Sequence, residues 1–194
     1  MERVDHMKYL NDTGVEHLLH GEWENMINFI ESAFLDPTAD MVPKIYLDAD
    51  GGDFRAMPAA LKKYACLKWI GVFPNNNQIP LPTTIGTLLL SDRETGKSLM
   101  SMDCTSLTAH RTAATSAIAA KRCAPNNITS AAFIGCGKQA LYHYQAYSHL
   151  FYDLEEIHFY DKNYTEKQYH DFTERCIKAT PSSADSSPQK FLFH

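Results

Sequence analysis

A glycine-rich turn in the last third of the chain carries the sharpest chemical signal. Residues 135–140 read Gly-Cys-Gly-Lys-Gln-Ala and lie between an apolar run, 130–134, and a segment with helical periodicity. In such a turn, Gly135 permits the tight bend, Gly137 lets the backbone approach a pyrophosphate, and Ala140 allows close helix packing. The start of the following helix offers N–H groups to the same anion. The pattern predicts a dinucleotide site, although a strand-to-helix turn without a ligand can have the same local sequence.

An acidic residue follows the next apolar run, 26 residues after Gly135, which is close to where the ribose-binding carboxylate of a dinucleotide site is expected. Asp161 comes directly after 156–160, the second strand of the predicted unit. A carboxylate at that strand end binds ribose hydroxyl groups and repels a 2'-phosphate. The sequence therefore predicts NAD, rather than NADP, as the cofactor.

Four cationic residues earlier in the chain are candidates for binding or proton transfer: Lys44, Arg55, Lys68 and Arg111. Lys44 and Arg55 lie on opposite arms of a predicted hairpin, and Lys68 lies in the apolar run 67–73. Apolar neighbours desolvate an amine and lower its pKa, which suits a general acid or base near neutral pH. The alternative, that all four are solvated surface cations, remains open on spacing alone because surface exposure is the commonest state of Lys and Arg.

The periodicity of the chain changes at about residue 125. Before it, the pattern predicts an amphipathic helix over 15–34, two hairpins, a strand at 67–73 and an alanine-rich helix over 108–124. After it, strand 130–134, helix 139–150 and strand 156–160 form a βαβ unit, followed by a helix over 165–178. We expect no further strand, and a flexible tail over 179–188. The fold class is thus α/β.

Composition excludes several kinds of partner. The net charge of -5 and the scattered distribution of 18 Lys and Arg argue against nucleic acid. No apolar stretch approaches the length of a membrane span and no signal-peptide core is present, so we expect a cytoplasmic chain. The five cysteines lack any Cys-x-x-Cys pair, and His17 and His20 lack a third ligand, so we expect reduced thiols and no metal site.

Eight short strings together give the chain a specific likeness. It resembles the ornithine cyclodeaminase/mu-crystallin family, and within it the alanine dehydrogenase branch typical of archaea. The strings that carry the resemblance are 43–47, 52–58, 67–69, 80–84, 92–96, 102–103, 111–114 and 134–140. The resemblance covers about residues 14 to 165 and implies an NAD-dependent enzyme of amino-acid metabolism whose C-terminal part is truncated here.

The resemblance also assigns roles to individual residues. It implies that Lys44 and Arg55 bind the substrate carboxylate and that Lys68 is the catalytic acid/base. It implies that the cofactor is contacted by Thr83, by Arg111 at a helix start, and by Gly135, Gly137, Gln139, Ala140 and Asp161.

The implied architecture is an α+β substrate and dimerisation domain, 1–127, followed by an incomplete Rossmann domain, 128–194. The implied reaction is oxidative deamination of a small L-amino acid such as alanine, in a homodimer. Three alternatives stay open: cyclisation of ornithine to proline, binding of a nucleotide or small ligand without turnover as in mu-crystallin, and an inactive fragment.

Overall fold

The chain forms two compact units. A computed structural model describes residues 6–179 and 189–194. One unit holds the described residues of Met1–His20 with Ser32–Thr108, and the other those of Gly21–Glu31 with Ala109–His194. The predicted α/β class is confirmed. The domain boundary expected after residue 127 falls within the second of these units and stays a prediction.

An antiparallel sheet forms most of the first unit. Its strands are β1 (Lys8–Leu10), β2 (Asp40–Met41), β3 (Ile45–Ala49), β4 (Gly52–Ala60), β5 (Tyr64–Val72), β6 (Thr84–Asp92) and β7 (Ser98–Asp103). They follow the order β1-β7-β6-β5-β4-β2, β3 also pairs with β4, and β1 alone is parallel to its neighbour. A short 3-10 helix spans Pro74–Gln78. Both predicted hairpins and the strand between them are confirmed.

The helix expected over 15–34 is two helices, so that prediction is wrong. They are α1 (Asp12–Leu19) and α2 (Trp23–Leu35). Gly21 lies between them with φ of 75°, a left-handed conformation that glycine adopts without a steric penalty and that ends helices. Asn11 caps α1 by accepting the Gly14 N–H at 2.9 Å. The apolar spacing continues across the break, which is why periodicity did not detect it.

Gly86 allows close packing at the centre of the sheet. It pairs with Ile70 of β5, which is buried. A Cβ at Gly86 would lie 2.2 Å from Ile70 Cγ2, 2.6 Å from the Trp69 carbonyl oxygen and 2.8 Å from Cys104 Sγ. The absence of a side chain therefore lets Cys104, itself 1% exposed, pack directly on the sheet.

The second unit contains a parallel sheet of three strands covered by helices. Its elements are α3 (Thr105–Cys123, of which Ala109 onward belongs to this unit), β8 (Ser130–Ile134), α4 (Lys138–Leu150), β9 (Glu156–Tyr160), α5 (Glu166–Ala179) and β10 (Lys190–Phe193). The strand order is β10-β9-β8. The predicted βαβ unit and both flanking helices are confirmed.

Strand β10 contradicts the expectation that no further strand is present. It pairs in parallel with β9, with Phe191 opposite Ile157 and Phe193 opposite Phe159. Its four residues follow a polar segment and are too few to show a strand period, so no sequence pattern indicated this strand. The tail expected to be flexible lies, from residue 180 to 188, outside the described residues.

Small side chains of α3 and large aromatic rings fill the core of the second unit. Ala113, Ala114 and Ala117 are fully buried. Trp23 of α2 joins this core and stacks on His110 with ring centroids 5.0 Å apart. Among the helices formed by the described residues, none combines the length and the apolar character needed to cross a bilayer.

We predict that Gly86→Ala destabilises the protein by about 1–3 kcal/mol, because the new methyl group overlaps a backbone carbonyl and two side chains. The measurement is the free energy of unfolding from urea denaturation. Gly137→Ala is the matched control, since its Cβ meets nothing within 4 Å and its φ of -83° suits any L-residue. Equal losses in the two variants would contradict the packing role given to Gly86.

Candidate active-site residues

The pairing of β4 with β5 sets which cationic side chains share a face of the sheet. Arg55 pairs with Ile70, and Met57 pairs with Lys68. Because directly paired residues project to the same face and alternate along each strand, Arg55 and Lys68 lie on one face as diagonal neighbours. We call it the inner face, which also carries the buried Ile70. Diagonal pairs are about 7–8 Å apart, within reach of one small substrate.

A carboxylate on the same strand holds the Arg55 guanidinium. Asp53 accepts Arg55 Nε–H at 2.5 Å and Nη2–H at 3.0 Å. This hydrogen-bonded pair lowers the pKa of Asp53, and the Arg55 guanidinium also lies 5.4 Å from the centre of the Tyr46 ring. A guanidinium has five N–H donors, so the Nη1–Nη2 edge can still take a second carboxylate. Sequence reasoning missed Asp53, although its place two residues before Arg55 on one strand was a usable signal.

The apolar neighbours of Lys68 are only partly those that the sequence suggested. Leu67 and Trp69 adjoin it in the chain but project from the opposite face, because side chains alternate along a strand. Its neighbours across the sheet are Met57 and Leu88, each directly paired with it and each half-buried. Lys68 is itself half-buried. Ile70, two residues further along β5, shares the inner face with Lys68, so the apolar residues beside Lys68 on this face are Ile70, Met57 and Leu88.

Three other predicted residues lie at exposed positions. Lys44 directly precedes β3, and Thr83 directly precedes β6, where its carbonyl accepts the Phe73 N–H at 2.8 Å. Arg111 was expected at a helix start, but α3 begins at Thr105, which puts Arg111 in the second turn. The helix begins earlier because Asp103 accepts the Thr105 N–H at 2.7 Å and Asp12 accepts the Ser106 N–H at 2.9 Å.

In the second unit, the predicted phosphate-binding turn joins β8 to α4 as the sequence indicated. Gly135 has φ of 103°, which only glycine adopts readily, and Gly137 is the residue that precedes the first turn of α4. A Cβ atom placed on either glycine would meet no atom of another part of the chain within 4 Å. The backbone is therefore open to close approach by a ligand at the N-terminus of a helix of 13 residues.

Asp161 directly follows β9 and contacts this turn. Its Oδ2 accepts the Cys136 N–H at 3.1 Å, and its Oδ1 accepts the Asn163 N–H at 3.0 Å. Burial, with the nearby Asp161 charge, raises the pKa of the Cys136 thiol to about 11. The thiol is therefore protonated at neutral pH and unsuited to act as a nucleophile.

A cleft of about 400 Å³ opens beside the turn. Its lining includes Gly135, Gly137, Gln139 and Ala140, all predicted, and also Ser116, His143 and Tyr147, which the sequence did not single out. His143 Nδ1 lies 2.7 Å from the Gln139 carbonyl oxygen, so that nitrogen carries the proton, and Nε2 lies 2.9 Å from Ser116 Oγ. The contact between His143 and Gln139 has a signal in the sequence, because residues four apart are neighbours on a helix.

Within the described part of the chain, no group of three or more His, Cys, Asp or Glu residues is arranged to hold a metal ion.

Comparison with known proteins identifies the family of the chain. The model of the ornithine cyclodeaminase/mu-crystallin family matches residues 3–190. The chain belongs to that family. The predicted membership is therefore confirmed, and so is the likeness to archaeal alanine dehydrogenase.

The individual relatives have several activities. The alanine dehydrogenase of Archaeoglobus fulgidus is 41% identical over 155 residues, 78% of this chain and 47% of the relative. The ornithine cyclodeaminase of Brucella abortus is 31% identical over 160 residues, 81% of this chain and 43% of the relative. The chain thus spans about half the length of the curated relatives it matches.

Solved structures agree with the fold. An archaeal alanine dehydrogenase dimer with bound NAD superposes with a TM-score of 0.84 and 34% identity, over 97% of this chain and 56% of that chain. The Thermococcus litoralis Δ1-pyrroline-2-carboxylate reductase was solved with NADH and L-proline. It superposes with a TM-score of 0.85 and 26% identity, over 97% of this chain and 57% of that chain.

We predict that the Asp53 carboxyl group titrates below the ordinary aspartate value of 3.8, because Arg55 stabilises its charged form. A folded pKa below the unfolded one means that the stability due to the pair is complete above the unfolded pKa and is lost as pH falls through the folded pKa. NMR titration of the Asp53 carboxyl carbon measures this shift. In Arg55→Gln the midpoint should return toward 3.8, and an unchanged midpoint would contradict the assigned cause.

Proposed function

We propose that the chain serves NAD-dependent oxidative deamination of a small L-amino acid, with L-alanine as the first candidate. The observation that carries the proposal is the presence of Arg55 and Lys68 on one face of the sheet, with Asp53 holding the guanidinium. An amino-acid dehydrogenase needs a fixed cation for the carboxylate and an acid/base at the reacting carbon. The 41% identity to an alanine dehydrogenase supports this choice of substrate class.

The roles follow from the chemistry of each side chain. The Nη1–Nη2 edge of Arg55 binds the substrate carboxylate, and the exposed Lys44 adds a second positive charge. Loss of hydride from the substrate α-carbon leaves an imine, which water attacks. Lys68, between Met57 and Leu88, takes a proton from this water and returns it to the nitrogen, which leaves as ammonia. Asp53 prevents the guanidinium from rotating away.

The residues of the second unit fit NAD. Gly135, Gly137, Gln139 and Ala140 border an open cleft at a helix N-terminus, and a pyrophosphate requires such an open, N–H-rich surface. Asp161 retains lone pairs for a ribose hydroxyl beside the two N–H groups that it accepts. We assign Thr83 and Arg111 as further contacts to the cofactor. When bound, NAD supplies the acceptor for the hydride that leaves the substrate α-carbon.

Two other functions are distinguished by experiment. Ornithine cyclisation uses the same carboxylate anchor and the same acid/base, and an ornithine cyclodeaminase is 31% identical over 81% of this chain. Binding without turnover uses only the nucleotide residues. Proline formation from L-ornithine identifies the first, and NADH binding with no substrate oxidation identifies the second.

An exposed apolar surface on the sheet supports assembly as a homodimer. The face opposite Arg55, which we call the outer face, carries Ile45, Leu47, Leu67, Trp69 and Ile85, between 38% and 62% exposed. Contiguous apolar patches of this kind mark interfaces between proteins. The archaeal alanine dehydrogenase of similar structure is a dimer. We propose that the outer face packs against that of a second copy.

We predict that the purified chain reduces NAD with L-alanine and that Lys68→Ala lowers kcat by at least about 100-fold, because the proton transfer loses its acid/base. Arg55→Lys should mainly raise KM, because an ammonium group cannot make the bidentate contact of a guanidinium with the substrate carboxylate. NADH formation followed by absorbance gives both constants.

Lys97→Ala is the control for lysine removal, since Lys97 is exposed in the turn between β6 and β7. The enzymatic proposal fails if the wild-type chain binds NADH but oxidises neither L-alanine nor L-ornithine. It also fails if Lys68→Ala is as active as Lys97→Ala.

We predict that Leu47→Asp converts the dimer to a monomer, because a charge would be buried without a partner in the interface. Tyr46→Asp is the matched control, because Tyr46 adjoins Leu47 but projects from the inner face. The two side chains are equally accessible, since Tyr46 is 57% exposed and Leu47 is 58% exposed. Sedimentation measures the molecular mass of both variants. Dissociation of both, or of neither, would contradict the assignment of the outer face.

A further inference from the structure

Both backbone polar groups of Cys136 are hydrogen bonded to side chains that follow β9. The Cys136 N–H donates to Asp161 Oδ2 at 3.1 Å, and the Tyr164 hydroxyl donates to the Cys136 carbonyl at 2.7 Å. One residue earlier, the Gly135 N–H donates to the Tyr160 carbonyl at 2.7 Å. The turn between β8 and α4 is thus held along one side by the end of β9 and the residues after it.

This arrangement sets the direction of the next N–H. The described residues contain no cis peptide bond, and in a trans peptide the carbonyl of one residue and the N–H of the next point in opposite directions. With the Cys136 carbonyl held by Tyr164, the Gly137 N–H must point away from Tyr164. Gly137 lines the cleft beside Gly135 and Gln139.

The Tyr164 ring is fixed independently of its hydroxyl. Its centroid lies 5.4 Å from that of Tyr169 and 6.4 Å from that of Phe172, which is 1% exposed. Tyr169 is anchored in turn, since its hydroxyl contacts both the N–H and the carbonyl of Asp161, at 2.9 and 2.8 Å. Burial raises the pKa of Tyr164, so the phenol remains a donor at neutral pH.

We propose that Tyr164 is a positioning residue for anion binding: by holding the Cys136 carbonyl, it directs the Gly137 N–H into the cleft toward a pyrophosphate. Without the hydroxyl, the peptide between Cys136 and Gly137 can rotate, and a carbonyl oxygen then faces the anion in place of an N–H. The same geometry assigns the Cys136 N–H to Asp161, so this group does not serve the ligand. The proposal rests on the proposed NAD function and names a residue that acts through the backbone.

The first test compares NADH binding to wild type, Tyr164→Phe and Tyr152→Phe by calorimetry. Tyr152 is 74% exposed and is the matched control for loss of a phenol hydroxyl. Loss of one charge-assisted hydrogen bond predicts about tenfold weaker binding for Tyr164→Phe, with the control unchanged. A Kd for Tyr164→Phe within twofold of the control overturns the proposal. Failure of the wild type to bind NADH overturns the proposed function instead.

A second test needs no variant and therefore holds if Tyr164→Phe does not fold. Amide signals of the ¹⁵N-labelled wild-type chain are followed during titration with inorganic pyrophosphate, which carries the anion without the rest of the cofactor. The Gly137 N–H signal should move and the Cys136 N–H signal should remain near its starting position. Movement of Cys136 without Gly137 overturns the proposal.

Discussion

The register between β4 and β5 is the constraint on which the first unit's candidate site depends. Because side chains alternate, a shift of one residue would send Arg55 and Lys68 to opposite faces of the sheet. The register is secured on the outer face, where Phe54 stacks on Trp69 with ring centroids 5.4 Å apart. On the inner face, Gly86 of β6 pairs with Ile70 and leaves room for Ile70 and Cys104, which supports the neighbouring pairing of β5 with β6. The pairing of β4 with β5 thus sets the separation between Arg55 and Lys68, the proposed carboxylate anchor and acid/base.

A second constraint, the planarity of the peptide bond between Cys136 and Gly137, governs the residues that we propose to bind the nucleotide. The short connection from β9 to α5 supplies Asp161 and Tyr164, whose side chains hold the turn between β8 and α4 through the backbone of Cys136. Tyr169, in the first turn of α5, anchors the backbone of Asp161. The glycines allow the bend and leave the cleft open, while the residues after β9 determine which way the polar groups point. The glycine-rich pattern therefore accounts for only part of the turn's geometry. The residues that orient its polar groups begin 25 residues after Cys136, at Asp161.

Local patterns predicted those parts of the fold that depend on local physics. Alternation identified both hairpins, and the change of period identified the βαβ unit around Gly135. The helix break at Gly21 was not predicted because the apolar spacing continues across it. Strand β10 was not predicted because it is defined by its pairing with β9. The sequence analysis did not single out Tyr164 and His143, because their hydrogen bonds to Cys136 and Ser116 join residues 28 and 27 positions apart and form only in the folded chain. Asp53 was missed although its spacing from Arg55 was informative.

We propose that hydride leaves the α-carbon of an amino acid for NAD under the control of these residues. The most direct measurement is incubation of the purified chain with NAD and L-alanine deuterated at the α-carbon, followed by mass spectrometry of the nicotinamide product. We expect the reduced cofactor to carry the deuterium and to form more slowly than with ordinary alanine. Reduced cofactor without deuterium, or no reduced cofactor from alanine at all, would show that hydride does not pass from the α-carbon of alanine to NAD.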